Sequence, residues 1–187
     1  VVESGLVLEE HPPRTEWQIM AEDSRQLGHE LLEVGYDYAH INEERLLQAV
    51  LNQDRTLSVG QARFRIMILP AVSYLSLAAA SRIRTLLDQG FPVLFCDRIP
   101  DTVPGYFENE AQSAELQALL RNQTPTARQD LATTMAERGV QPGIRSGAPG
   151  LQHIHKQLGN LDLYLIRSRL PDSRMVRINI PIGKKQA

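Results

Sequence analysis

The chain's only cysteine, Cys96, closes the apolar run of "FPVLFCDRIP" at residues 91–100. A nucleophile at the end of a buried strand sits on a sharp strand-to-helix turn between small residues, so that backbone amides can stabilise an oxyanion beside it. The neighbours of Cys96 are Phe95, Asp97, Arg98 and Ile99, and the next glycine is Gly105. A thiolate also needs a base, and the downstream histidines are His153 and His155 of "HIHK", with no acidic residue at short spacing after either. Two readings follow: a hydrolase nucleophile served by His153 or His155, and a buried, unreactive thiol. The missing elbow favours the second.

His153 and His155 stand two apart in a segment of strand character, which puts both side chains on one face and makes them candidate metal ligands. No third ligand is adjacent, so a polar sheet face is the competing account. Asp97, Asp101, Glu108 and Glu110 surround the loop at residues 97–108, where paired carboxylates can exchange protons or hold a hard cation, or simply be solvated. Asp97, Arg98 and Asp101 are also the candidate contacts of a small-ligand or sugar-binding module. Neither G-x-x-x-x-G-K-[ST] nor a G-x-G-x-x-G after a strand occurs, which leaves no phosphate cradle in the sequence.

The elements that must position these residues follow from periodicity. "TEWQ" at Thr15 opens a helix carrying Trp17, Met20, Ser24, Leu27, Leu31 and Val34 and closing at Gly35. "YDYAHI" is β-prone, and Asn42 can cap a second helix with Leu46, Leu47, Val50 and Leu51 on one side. "ARFRIMILP" predicts a central strand over 64–69, "SYLSLAAASRIRTLLDQG" a helix over 73–89 and "VLF" a strand over 92–96, together one βαβ unit. Its carboxyl edge, the loop at 97–108, is where open α/β sheets bind ligands. Helices are expected over 109–121 and 126–138. After the Gly/Pro-rich "GVQPGIRSGAPG", the segments "LQHIHKQL", "LDLYLIRS" and "RMVRINIPIG" read as strands joined by "GN" and "PDS" turns. The expected fold is a flavodoxin-like, amidotransferase-like three-layer α/β sandwich with a mostly parallel sheet over residues 1–141. Residues 142–187 are expected to complete that sheet or begin a β-rich neighbour, and residues 1–14 to be its first strand or a tail.

At 187 residues the chain can bury one full core. Twenty basic residues nearly cancel 22 acidic ones, to a formal charge of -2, so no field of one sign exists to gather nucleic acid or an anionic membrane. One cysteine leaves no internal disulfide and no cysteine-based zinc site. The opening "VVESGLVLEE" shows no signal-peptide pattern, and the missing initiator methionine suggests a trimmed or excised piece of something longer.

Taken in order, "LGHELLEVGYDYAHINEERL", "LSVGQARFRIMILPAVSYLSLAAASRIRTLLDQGFPVLFCDRIP" and "LQHIHKQLGNLDLYLIRSR" with "VRINIPIGK" resemble one family. It is the region downstream of the catalytic barrel in glycoside hydrolases of family 106, the α-L-rhamnosidases and their relatives. The resemblance runs over roughly residues 25–183. His155 with Lys156 stands at the family's His-Arg pair, Asp162 and Tyr164 at its Asp-x-Tyr positions, and Gly183-Lys184 at its Gly-Lys. Lys156 for arginine and Ser168 for asparagine are departures, as is Cys96 where a small residue is usual.

The resemblance implies a non-catalytic flavodoxin-like domain acting as scaffold, interface or active-site wall of an enzyme on rhamnose-containing or similar glycans. The acid and base carboxylates, and any calcium, would then belong to the barrel upstream in the same polypeptide, with no cofactor in this chain. It further implies possible homo-oligomer contacts and, if the parent enzyme follows the family, an extracellular or periplasmic setting. A freestanding hydrolase using Cys96 and a sugar-binding module stand as the alternatives.

Overall fold

The computed structural model describes residues 16–105, 109–146, 151–158, 161–169 and 175–180. Several expectations lie outside that set: residues 1–14, the Thr15 cap, Glu108, most of "SGAPG", both the "GN" and "PDS" turns, and Gly183-Lys184. Within it the protein is mixed α/β, with helices packed on small sheets, one of them parallel.

Helix α1 spans Glu16–Glu33 and buries Leu27 and Leu31. Val34 falls beyond its end and is exposed, while the side chains of Trp17 and Met20 are not among those described. Gly35, at φ +88, turns the chain into an extended stretch over Tyr36–Ile41, which pairs with no strand among the described residues. Helix α2 (Glu43–Gln48) starts as expected, with Asn42 Oδ1 accepting from the Arg45 N–H at 3.0 Å. It stops three residues early, because Ala49 is already extended and its carbonyl accepts from the Arg82 guanidinium.

The next stretch departs from the expected single strand over 64–69. Strands β1 (Val50–Leu51), β2 (Leu57–Val59) and β3 (Ala62–Phe64) form an antiparallel meander, with Gly60 (φ +61) turning β2 into β3. The chain then re-enters a sheet as β4 (Met67–Leu69). The hairpin that turns at Gly60-Gln61 takes Phe64 into β3 as the partner of Leu57, so the expected strand is split at Arg65-Ile66 and only Met67–Leu69 joins β5.

The βαβ unit itself is present: β4, helix α3 (Leu77–Asp88) and β5 (Val93–Phe95), with β4 and β5 parallel in the register Met67↔Val93 to Leu69↔Phe95. Helix α3 begins four residues later than expected, where Ser76 caps it by accepting from the Ala79 N–H. The residues before it are used elsewhere, the Leu75 N–H donating to Thr102 O at 3.0 Å.

Side chains of this parallel pair alternate between two cores. Met67, Leu69, Val93 and Phe95 join Ala79, Ile83 and Leu86 of α3 and Leu116 and Leu120 of α4 (Asn109–Leu120). Ile66, Ile68, Leu94 and Cys96 join α1 and helix α5 (Leu131–Glu137) through Leu131 and Met135. Helix α5 is shorter than expected, because Thr126 is drawn into a parallel bridge with Cys96 and residues 128–130 form a 3-10 turn.

Strands β6 (Arg145–Ser146), β7 (Leu151–Leu158), β8 (Leu161–Ser168) and β9 (Ile178–Asn179) close the chain. β7 and β8 pair antiparallel over their whole length, and β9 pairs with β6 rather than with β8. Among the described residues these are two separate two-stranded sheets, with no pairing to β4 or β5. No helix among the described residues is long and apolar enough to cross a membrane.

Candidate functional site

At the carboxyl end of β5, Cys96 is 0 % exposed, and its thiol lies 3.6 Å from Asp97 Oδ2. Burial, with the Asp97 charge beside it, pushes that thiol up to about 12, so it stays protonated at neutral pH. Asp97 adopts φ +58, a left-handed conformation that aspartate tolerates better than most side chains. Its N–H donates to Thr126 O at 2.9 Å, and its Oδ1 accepts from the Arg128 N–H at 2.8 Å. The carboxylate therefore brackets the start of the 3-10 turn. Arg98 and Asp101 pair with each other at 3.6 Å on the surface, where an ion pair contributes about 0–1 kcal/mol. The Asp101 carbonyl also accepts from Gln117 Nε2 at 2.9 Å. Of the loop candidates among the described residues, only Arg98 and Asp101 are brought together.

Behind this loop lies a cluster that sequence reasoning missed. The Arg128 guanidinium donates to Glu30 Oε2 at 2.6 Å and to Asp23 Oδ1, tying α5's approach to α1. Burial alone would raise the Glu30 carboxyl, but hydrogen bonds from Arg128 and Gln26 hold it below its usual range. The available signal was Asp23 and Glu30 seven apart, two turns along one face of α1. Nothing local pointed to the partner.

The second group of candidates lies on the inner face of β7–β8. His153, His155, Asp162 and Tyr164 share this face by strand alternation, with His155 opposite Tyr164. The His155 ring stacks on Tyr164 at 4.4 Å and 9°, and its Nε2 lies 2.9 Å from Asp162 Oδ1. The His155 N–H donates to Asp37 Oδ2 at 3.1 Å, joining the "GYDY" segment to the "HIHK" strand. Lys156 is exposed on the opposite face and takes no part. Burial, and then the Asp162 charge, push the Tyr164 phenol up, which keeps it protonated.

His153 is 2 % exposed, and neither ring nitrogen has a hydrogen-bond partner among the described residues. Its ring lies against Gly143, where an added Cβ would come 2.6 Å from Nε2. No set of three His, Cys, Asp or Glu side chains that could hold a metal ion exists among the described residues. Nor does a hydrogen bond join Cys96 to either histidine among them.

Two predictions follow from these environments. Cys96 should react with a thiol reagent at pH 8 only as fast as the protein unfolds, and stoichiometrically in denaturant; immediate labelling of folded protein would contradict the buried-thiol reading. For His153, burial lowers the folded-state value below the usual imidazole range, with the Asp37 charge opposing and the His155 charge adding. As pH falls through about 6.5, the unfolded chain binds a proton that the folded one refuses, so stability declines until the folded value is reached. The urea midpoint of His153→Leu should accordingly fall less than wild type between pH 8 and pH 5, whereas parallel profiles would contradict this.

In chemical terms the arrangement supplies a protonated thiol without a base and a histidine-carboxylate pair without a nucleophile. In comparisons with known proteins, no family model, no curated protein and no solved structure matches this chain.

Proposed function

We propose that the chain is a non-catalytic accessory module of a larger glycoside hydrolase acting on rhamnose-containing or similar glycans, where it serves as scaffold, interface or wall of the active-site region. The observation that carries the interface role is the outer face of β7–β8. Ile154, Leu161, Leu163 and Leu165 share that face by alternation, with Lys156 opposite Leu163, and are 47, 72, 53 and 67 % exposed. A protein that works alone rarely leaves an apolar strip of this kind in water. The occupant is the catalytic barrel of the same polypeptide. The glycan part rests on the resemblance carried by "GYDYAHINEERL" and "HIHKQLGNLDLYL", and the contact of Asp37 with His155 gives those two stretches a shared structural purpose.

The flavodoxin-like reading of the fold draws support from the β4–β5 pair, which carries helix-lined apolar clusters on both faces. The freestanding-hydrolase alternative gains nothing from a fully buried Cys96. The sugar-binding alternative gains nothing from loop carboxylates already engaged within the protein.

The test is to incubate the purified chain with an aryl α-L-rhamnoside. No saturable hydrolysis is expected. A Leu163→Lys, Leu165→Lys double variant should bind markedly less of a hydrophobic dye than wild type does. Saturable hydrolysis that Cys96→Ala abolishes would replace this proposal with the freestanding hydrolase.

A further inference from the structure

The β7–β8 hairpin is fixed to the α/β body at two places that flank His153. Before it, the Gly143 N–H donates to Gly35 O at 2.8 Å, and after it the His155 N–H donates to Asp37 Oδ2 at 3.1 Å. Both acceptors belong to the segment that follows α1, and α1 itself packs on β7. His153 therefore lies inside the seam between hairpin and body. Its Nε2 abuts Gly143, with no room for an added Cβ between them, and neither ring nitrogen has a hydrogen-bond partner among the described residues. A neutral imidazole can be held in such a seam at modest cost. An imidazolium, with two N–H donors and a charge to solvate, cannot.

We infer that His153 makes this seam an acid-sensitive latch: in mildly acidic solution the β7–β8 hairpin comes off the body as a unit, while the β4–β5 core stays folded. Among the described residues, the charges that act on His153 are Asp37, on the segment after α1, and His155, on its own strand; α1, packed on the same strand, contributes none. Tyr164 of β8, 6.4 Å away ring to ring, has its phenol pushed up and brings no charge. Asp37 favours the imidazolium, but its Oδ2 already accepts from the His155 N–H, and burial outweighs it. An open hairpin returns His153 to water, where it takes up a proton below about pH 6.5. Protons therefore pull the latch open below that pH and leave it shut above. His155 is no second latch, because its ring is partly exposed and its Nε2 lies against Asp162, which accepts a proton's hydrogen bond in place. The inference stands apart from the glycan reading and survives its failure.

The experiment is amide hydrogen exchange on the full chain with a chelator present, read as protection factors at about pH 7.5 and pH 5. Amides of β7 and β8 should lose protection by about tenfold or more at the lower pH, while those of β5 keep theirs. His153→Leu should remove the loss and His155→Gln should retain it. An unchanged hairpin, an equal loss in β5, a loss that persists in His153→Leu, or one that His155→Gln removes overturns the inference.

If His153→Leu does not fold, the wild-type ring decides. In an NMR titration of the folded protein, the midpoint of the His153 ring should lie below the ordinary value of about 6.5. A midpoint at or above that value means that the closed seam accepts the proton, and overturns the latch.

Discussion

Phe95→Ala is expected to destabilise the protein by about 3–5 kcal/mol, the usual cost of emptying a fully buried phenylalanine site. Phe95 is the last residue of β5, 1 % exposed, and packs in the cluster shared with α3 and α4. Its carbonyl also accepts from the Thr126 N–H at 2.7 Å, so the site is held on two sides and has little freedom to collapse. At about 2–4 °C per kcal/mol for a chain of this size, the melting temperature should fall on the order of 10 °C. A calorimetric scan checks this, and a fall of only a degree or two would mean that β5 is not the centre of the core.

Gly35→Ala should have the next largest effect, about 2–5 kcal/mol. A side chain in the left-handed region costs ~1–2 kcal/mol, and forcing atoms into a packed site adds ~1–3 kcal/mol. Both apply here: Gly35 has φ +88, and an added Cβ would collide with the Ile144 carbonyl. Gly35 also accepts from the Gly143 N–H at 2.8 Å, which anchors the segment leading to β6 and β7. The substitution should therefore loosen the hairpin before the parallel pair. Faster exchange of β7 amides with β5 amides unchanged is the expected pattern. Equal stability of variant and wild type in urea would refute it.

The parallel unit was legible because its signals are local: two short apolar runs, a helix between them with one buried stripe, and a proline and a glycine as punctuation. The same reasoning failed at residues 64–69, where the nearly continuous apolar run from Phe64 to Leu69 suggested one strand, whereas Phe64 ends a hairpin that the Gly60 turn announces and only Met67–Leu69 pairs with β5. It also lengthened α5, because nothing near Thr126 reveals that its partner is Cys96.

The candidate sites divide the same way. That His153 and His155 share a face follows from strand alternation. That His155 meets Asp37, 118 residues away, and that Arg128 reaches Asp23, 105 away, depend on how helices and strands pack, which no window of sequence contains. The Arg98–Asp101 pair, three apart, was within reach of local reasoning, yet it belongs to the surface.

The central claim is that this chain is a non-catalytic module docked on a larger enzyme. It is tested most directly by the size of the native polypeptide in its source cells, read with an antibody raised to the chain and mass spectrometry of the band. The account predicts a polypeptide several times larger than 21.0 kDa, with an acid and base pair in its additional sequence. A native product of 21.0 kDa would contradict it.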